Sequence, residues 1–424
     1  MNIAVTCRKA EAFLFEIRQW AGVMTLAGLL LSCRPAEIPV RPARIATIVQ
    51  LEESDTTALS YVTQSRLVGD SMLFVLEYNV GDIQVFNATT GRFSRTIQIP
   101  SEVGYQLDDQ FPDTIPACYL EVTGSGVKMN PLVTTPNEPA NDYRRQRYSI
   151  RGFTTYSGDS LAVISGARVP YTLKDPRKYG RQTVLPYTFV YMTSLNATLG
   201  KAVVMSVSLS KNFVTEGDAI VACDSGFWVA AWDWYERDRF KNGMHPGPFV
   251  RSAKHSRDGR FIDILSRESP GYADSAGYRS GHHWLLEGGE RGSCIRVISN
   301  VPAVDIMDAQ DGTFTRYQLP NSVHSQSDSL TTMTIEPVRF GGRRLAVRVV
   351  RVTTDNTAAE KFIVIGDLDR SGRGLVWTSV VKLEQSDVLL SLISSNDSPL
   401  YRKHLLGIFE NPERGPYLAR IEVD

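Results

Sequence analysis

The fold is decided by two similar stretches of the sequence, Asn87-Ala-Thr-Thr-Gly-Arg-Phe-Ser-Arg-Thr-Ile-Gln-Ile-Pro100 and Asp308-Ala-Gln-Asp-Gly-Thr-Phe-Thr-Arg-Tyr-Gln-Leu-Pro320, which align after a single deletion. Each stretch predicts a β-hairpin turn. The first residue opens the turn by accepting hydrogen bonds through its side chain, the glycine takes a positive φ, and the aromatic residue starts the returning strand. The repetition predicts that one hairpin is built more than once along the chain.

Shorter versions of this turn occur at residues 196–201, 257–261 and 369–372. The five turn glycines recur at intervals of 109, 59, 53 and 60 residues, and they are Gly91, Gly200, Gly259, Gly312 and Gly372. Most of these intervals fit one four-stranded unit with its loops, which is typical of a radial repeat. The first interval is too long, and it indicates either an insertion or an eroded additional unit.

A second repeat places Gly-Asp-Ser before an apolar strand, at residues 68–75 and again at 157–163. Such a turn would join the inner strand of a unit to the next strand. Helical periodicity is almost absent, whereas short alternating runs bounded by Gly, Asp and Asn continue to the end of the chain. The clearest predicted strands are residues 72–77, 83–86, 161–165, 187–192, 227–231, 345–352, 362–365 and 417–423.

These turns and their spacing resemble the NHL-like and TolB-like six-bladed β-propellers, especially the propeller lipoproteins of Gram-negative bacteria. The resemblance covers residues 43–424 and implies an all-β propeller of six or seven blades, with six preferred. Residues 44–51 are placed to add an N-terminal strand beside residues 417–423, which would close the ring and protect strand edges. The alternative architecture is two β-sandwich domains with a boundary near residues 131–147.

The N-terminus has the order of an export signal. Basic residues are followed by the apolar run 21–32, which is too short to span a bilayer as a helix. Leu30-Leu31-Ser32-Cys33 resembles the lipobox of bacterial lipoproteins, which implies a signal peptide at residues 1–32, lipid on the Cys33 sulfur and a tether at residues 33–42. Because Arg34 rather than aspartate follows the cysteine, we expect the protein to be exported and attached to the outer membrane.

Composition narrows the possible functions. Lysine plus arginine equals aspartate plus glutamate at 46 each, so the chain lacks the basic excess that collects nucleic acid phosphates. Only Cys118, Cys223 and Cys294 lie in the body of the chain, which is too few for a disulfide framework. Small buried core residues are the simplest interpretation of these three cysteines.

The candidate ligand site is an aromatic-rich segment that contains Trp232, Trp234 and Tyr235, with His245 in a following loop. Tryptophan offers a large apolar face with a polar N–H, which suits a sugar ring or another flat ligand, although packing between blades explains the same residues. Arg177 lies in a basic loop that could attract anionic ligands or simply be solvated.

We predict no resident cofactor. Asp367, Asp369 and Ser371 have the opening spacing of a calcium loop, but the glutamate expected at its end is missing, and a β-turn explains the spacing equally well. His282 and His283 would point to opposite faces of a strand, so at most one could face a metal site.

Two hypotheses for function follow. The first is a non-enzymatic module, anchored to the membrane by lipid, that binds a partner protein or a glycan through loops on a rigid scaffold. The second is a hydrolase or lyase acting on a polymer at the central channel. Its candidate residues are His245, His255, His282, His283, Asp233 and Glu236. No local signature of a common enzyme class occurs in the sequence, which favours the binding module.

Overall fold

The computed structural model describes the chain in segments: residues 38–53, 59, 61–77, 81–100, 118–123, 126–131, 150–156, 160–171, 183–195, 201–204, 215–223, 226–233, 250–256, 261–264, 283–287, 293–299, 301–308, 314–323, 330–353, 359–384, 388–395 and 398–423. Within these segments every regular element is a β-strand, so the described part of the chain is all-β, as predicted. The region from Pro39 to Asp424 is one compact unit. No helix in the described segments is long and apolar enough to cross a bilayer.

The strands, in chain order, are β1 (Val40–Pro42), β2 (Arg44–Gln50), β3 (Val62–Val68), β4 (Met72–Glu77), β5 (Asp82–Asn87), β6 (Phe93–Ile97), β7 (Cys118–Thr123), β8 (Gly126–Pro131), β9 (Ile150–Tyr156), β10 (Ser160–Tyr171), β11 (Thr183–Ser194), β12 (Lys201–Val204), β13 (Thr215–Cys223), β14 (Gly226–Asp233), β15 (Val250–Ser256), β16 (Phe261–Ile264), β17 (His283–Glu287), β18 (Cys294–Ile298), β19 (Ala303–Met307), β20 (Phe314–Gln318), β21 (Leu330–Phe340), β22 (Arg344–Thr353), β23 (Ala359–Leu368), β24 (Leu375–Leu383), β25 (Val388–Ser394), β26 (Leu405–Asn411) and β27 (Gly415–Glu422). Each of the eight strands predicted as clearest overlaps one of these elements.

Hydrogen bonding arranges these strands as antiparallel meanders of four. We name them unit 1 (β3–β6), unit 2 (β9–β12), unit 3 (β13–β16), unit 4 (β17–β20), unit 5 (β21–β24) and unit 6 (β25–β27 with β2). In unit 6 the fourth strand comes from the N-terminal region, because β2 pairs with β27 from Arg44↔Glu422 to Gln50↔Tyr417. β1 adds a short parallel strand to β24 of unit 5, with Val40 opposite Val380.

The first strand of each unit contacts the first strand of the next unit. The contacts run from β3 to β9, β13, β17, β21 and β25, and β25 then contacts β3. The last of these contacts includes a parallel pairing of Ile393 with Ser65. We call these six strands the inner strands.

The core lies between neighbouring units rather than in a single layer. Leu73 and Phe86 of unit 1 pack with Leu406 and Leu418 of unit 6. Similar clusters join units 2 and 3, units 3 and 4, units 4 and 5, and units 5 and 6. Because a strand such as β4 is covered on both faces, its residues 73–77 are all buried. These strands are therefore nearly continuous in apolar residues, as expected for sheets buried on both sides.

The turn that decided the fold has the predicted chemistry. Asn87 Oδ1 accepts hydrogen bonds from the N–H groups of Thr89 and Thr90, both at 2.9 Å, and Gly91 has φ +73°. Phe93 then starts β6. Gly91 also lies against Gln50 at the end of β2, where a Cβ would come within 1.8 Å of the Gln50 carbonyl oxygen. The hairpin prediction is confirmed here, and the glycine serves contact with unit 6 as well as turn geometry.

Candidate functional site

A cavity of about 110 Å³ lies between the inner strands, and every one of the six strands contributes to its wall. We call it the axial cavity. Its polar wall includes Gln64 and Arg66 from β3, Arg151 from β9, Glu336 from β21 and Ser394 from β25. Because the six strands come from different units, the site is assembled entirely by the tertiary fold.

Glu336 has an unusual backbone. Its φ is +50°, the only positive value among the described residues other than glycine. The pairing of β21 with β22 shifts register between Ile335 and Pro337, so Glu336 is the extra residue of a β-bulge. Proline cannot donate to a sheet ladder and is found at such bulges. Bulges re-aim side chains next to functional sites, and left-handed backbone at a residue with a Cβ costs about 1–2 kcal/mol.

The Glu336 carboxylate is held by groups from two neighbouring strands. It accepts a hydrogen bond from the Ser391 hydroxyl and another from the Leu392 N–H, both on β25. Its Oε2 lies 3.8 Å from Nη1 of Arg348 on β22. Burial disfavours the charged form and raises the pKa of Glu336 to about 7, although Arg348 and Ser391 both act to lower it. This carboxyl group therefore exchanges its proton near neutral pH.

Arg348 stands behind Glu336 and ties unit 5 to unit 6. Its Nη1 also donates to the Leu390 carbonyl oxygen at 3.0 Å. Burial lowers the pKa of Arg348, but a guanidinium starts so far above neutral pH that it stays protonated. A permanent positive charge thus lies directly behind Glu336, the member of the cavity wall whose charge varies with pH.

Gln64 fixes the opposite side of the wall. Its amide donates to the Phe153 carbonyl oxygen at 2.8 Å and accepts from the Phe153 N–H at 3.0 Å. The side chain therefore substitutes for a strand partner between unit 1 and unit 2. Phe153 also packs against Phe74, with ring centroids 6.3 Å apart. This part of the wall is rigid.

Two aromatic side chains complete the cavity lining. Tyr61 is 52% exposed and precedes β3, while Trp284 lies on β17 and is partly buried. The Tyr61 N–H donates to Glu77 Oε1 at 3.0 Å, which fixes the backbone from which the ring projects. Aromatic faces together with convergent polar groups are the usual composition of a small-ligand site.

The structure does not describe the side chains of the sequence-predicted site residues, so their role stays a prediction. Trp232 lies on β14, where only its backbone is described. Trp234, Tyr235, His245 and Arg177 fall outside the described residues, as does the lipidation candidate Cys33. The same holds for the side chains of the proposed catalytic set, namely His245, His255, His282, His283, Asp233 and Glu236.

Trp228, which belongs to the same aromatic segment, is in the core. It is buried between unit 3 and unit 4 against Leu285, Cys294 and Met307. For this residue, packing between units is the correct interpretation. The buried Cys294 thiol is part of the same cluster, as expected for a small core residue.

The calcium candidate forms the β-turn between β23 and β24. Asp369 Oδ1 accepts hydrogen bonds from the Ser371 hydroxyl at 2.7 Å and the Arg373 N–H at 3.1 Å, and Gly372 has φ +68°. Asp367 faces Arg344 instead, at 3.8 Å. In the described segments no cluster of three or more His, Cys, Asp or Glu could hold a metal ion. The turn itself accounts for the spacing of these residues.

Sequence reasoning missed Glu336, Arg348, Tyr61 and Trp284. One local signal was present, because Glu336-Pro337 interrupts an 11-residue strand and a proline inside a strand indicates a bulge. Nothing local connects that bulge to Trp284 or Tyr61.

No family model matches the sequence, and no curated protein matches it. Similar solved structures include a Bacteroides fragilis protein described as exported, with 10% identity, coverage of 90% of this chain and 95% of that chain, and a TM-score of 0.47. A periplasmic gluconolactonase of Pseudomonas aeruginosa has 11% identity, coverage of 72% and 90%, and a TM-score of 0.30. YCF48 from Cyanidioschyzon merolae has 10% identity, coverage of 88% and 98%, and a TM-score of 0.35. Similarity at these levels indicates neither a ligand nor an activity for this chain.

Proposed function

We propose that this chain is an exported, lipid-anchored six-bladed β-propeller that binds one residue of a glycan in its axial cavity and does not catalyse a reaction. The observation that carries the binding role is the cavity wall. Aromatic rings and hydrogen-bonding side chains from separate units converge there on one small volume.

Six blades are supported by six meanders of four strands whose inner strands contact each other in cyclic order. In this proposal β2 closes the ring by completing unit 6. The long first interval between turn glycines corresponds to an insertion, because β7 and β8 pair with each other and join the sheet of unit 2 at Tyr171↔Cys118. They do not provide a meander of four strands, which favours six blades over seven.

The proposed export and membrane attachment are supported by the signal-peptide pattern of residues 1–32 and by the lipobox that ends at Cys33. Ser32 and Cys33 provide the small residue and the thiol that acylation requires, and two or three acyl chains give stable membrane attachment at about 0.8 kcal/mol per buried methylene.

We expect mass spectrometry to show that the mature protein starts at Cys33 and carries the additional mass of its lipid. Cys33→Ala should lose that mass and leave the membrane fraction, whereas unchanged attachment of this variant would reject the anchor.

The size of the cavity favours a sugar residue over a protein segment. A volume of about 110 Å³ equals the liquid volume of about four water molecules, at roughly 30 Å³ for each, which is too small for a folded protein segment. Tyr61 and Trp284 offer apolar faces for the ring, while Arg66, Arg151 and Ser394 offer donors for its hydroxyl groups.

The binding proposal is tested with a glycan array, followed by calorimetry with the free monosaccharide of any glycan that binds. Tyr61→Ala should weaken binding by about fivefold to tenfold, since an aromatic contact contributes about 1 kcal/mol beyond area burial. Val376→Ala is the matched control, because Val376 is 68% exposed and does not line the cavity. Equal affinity of Tyr61→Ala and the parent chain would place the glycan outside the axial cavity, and an array on which no glycan binds would favour a protein partner instead.

One observation favours the enzymatic alternative, a hydrolase or lyase. A buried carboxyl whose pKa is about 7 is suited to general acid or base catalysis. Incubating the chain with a glycan that it binds, and then analysing the glycan for cleavage, distinguishes the two functions. A binding protein returns the glycan unchanged, whereas cleavage that is abolished by Glu336→Gln would establish the enzyme.

A further inference from the structure

A basic surface lies at one end of the strands of units 5 and 6. It is formed by three turns, at residues 341–343, 369–374 and 398–404. The Leu368 N–H donates to the Arg343 carbonyl oxygen at 2.8 Å, and the Gly341 N–H donates to the carbonyl oxygen of Arg402. These backbone bonds hold the three turns together as one surface, which we call the basic turn surface.

Four cationic side chains are exposed on the basic turn surface, and they are Arg343, Arg370, Arg402 and Lys403. No ion pair joins any of them to another described residue. The nearby carboxylates are already occupied. Asp369 accepts hydrogen bonds within its own turn, and Asp70 accepts from the Ser398 hydroxyl at 2.7 Å and from the Leu400 N–H at 2.8 Å. These two carboxylates keep their negative charge when they are hydrogen-bonded, but the four cations outnumber them, so the described part of the surface is net positive.

An apolar side chain accompanies this charge. Leu400 is 61% exposed and lies in the same turn as Arg402 and Lys403. Exposed leucine beside basic residues is the composition of surfaces that touch lipid headgroups and the outer part of the acyl region.

The direction of β1 connects this surface to the lipid. β1 runs parallel to β24 with Val40 opposite Val380, and β24 begins directly after the turn at 369–374. Cys33 precedes Val40 by seven residues, and Arg373 precedes Val380 by the same number. Seven extended residues span at most about 25 Å. The acylated sulfur can therefore reach the membrane beside the basic turn surface.

We propose that the basic turn surface docks on the anionic phospholipid headgroups of the membrane in which the lipid on Cys33 is inserted. This inference adds an interaction surface to the anchor in the proposed function and does not depend on glycan binding. The lipid and the basic side chains then both contribute to membrane attachment. Each cation near an anionic surface strengthens this attachment by about fivefold. The propeller would be held in one orientation instead of rotating on its tether.

The test uses the purified mature lipoprotein in vesicles, with an environment-sensitive fluorophore on Leu400→Cys or on Glu413→Cys. Glu413 is the comparison site, because it lies in the exposed turn at the opposite end of β26. The vesicles contain phosphatidylcholine, with or without about one third phosphatidylglycerol, and a headgroup spin label as quencher. The parent chain, labelled in the same way, gives the background from native cysteines.

We expect quenching at position 400 in anionic vesicles, with little at position 413, and we expect it to fall in about 0.5 M salt, where charge interactions are screened within a few Å. Arg370→Gln with Arg402→Gln should reduce the docked fraction on the order of 25-fold. Arg92→Gln with Arg414→Gln is the matched control, since both residues are exposed on other turns. This control pair should behave as the parent chain does.

Equal quenching at both positions, or quenching that is the same in neutral vesicles, would overturn the proposal. Loss of quenching in inorganic phosphate at constant ionic strength would also overturn it, because the surface would then be a site for free phosphate. If mass spectrometry finds no lipid on Cys33, the anchor fails on its own. Sedimentation of the same chain with anionic vesicles, with and without the Arg370 and Arg402 substitutions, then decides the docking surface separately.

Discussion

Glu336 gives the sharpest prediction about stability. Its pKa in the folded protein is about 7, above the ordinary value of 4.5, because burial penalises the carboxylate. The folded chain therefore binds more protons than the unfolded chain between these two values. The contribution of Glu336 to the free energy of unfolding should be highest below about pH 4.5. It should fall as the pH rises toward 7 and level off above that pH.

The size of the effect follows from the same two values. The interval from 4.5 to about 7, at about 1.4 kcal/mol per pH unit, gives a loss of about 3 kcal/mol across the window. Glu336→Gln stays neutral at every pH and should remove this loss. Urea denaturation of both chains between pH 5 and 8, followed by tryptophan fluorescence, measures the difference between their unfolding free energies. That difference isolates Glu336 because all other groups are shared.

Glu360→Gln is the control, because the pKa of Glu360 is shifted in the opposite direction from that of Glu336. Hydrogen bonds from Lys382 and Arg351 lower the pKa of Glu360, so its contribution is present above pH 4.5 and is lost only below it. This variant should show no slope between pH 5 and 8. A flat difference for Glu336→Gln over the same window would refute the argument, and it would mean that Arg348 holds the carboxylate fully ionised.

Three further outcomes follow from the packing. Asp305→Ala should lower the free energy of unfolding by about 3–5 kcal/mol in urea denaturation, because the carboxylate lies 2.9 Å from the fully buried guanidinium of Arg296. A loss below about 1 kcal/mol would contradict the importance of this ion pair. Gly91→Ala should lower the free energy of unfolding by at least about 1 kcal/mol more than Gly69→Ala does. Both glycines have positive φ, but only Gly91 has no room for a Cβ. Equal losses in thermal midpoint would show that the contact with β2 is unimportant. Gln50→Ala should cost about 1–2 kcal/mol, as its amide donates to two carbonyl oxygens of unit 6 at 2.6 and 2.7 Å, and an unchanged midpoint would count against β2 as a stabilising strand.

Much of the fold was predictable because its signals are local. The turn at Asn87 needs a side-chain acceptor and a glycine within five residues, and both are visible in the sequence. Strand β4 was predicted with its observed bounds, Met72–Glu77, from its apolar run and the Gly-Asp-Ser turn before it. The pairing of residues 44–51 with 417–423 was also anticipated, since these were the two terminal strands of the proposed ring.

The axial cavity was not predictable in the same way. Each inner strand contributes only a few closely spaced residues to it, and the contributions of different strands are separated by tens to hundreds of positions. Aromatic density instead drew attention to the segment around Trp228, where large rings fill the space between unit 3 and unit 4. Local composition reflects how neighbouring units pack against each other, whereas the cavity exists only where all six inner strands meet.

The pairing of β2 with β27 has a consequence for biogenesis. The two strands are almost the full chain apart, and they must meet before all seven strand pairings of that eight-stranded sheet are complete. Such distant pairing is slow, because the entropy of loop closure is lost before any contact is gained. A chain emerging N-terminus first would have to keep residues 44–50 unpaired until residue 422 has been synthesised. During that interval the strand is an exposed edge, and we expect it to be the segment that a chaperone protects.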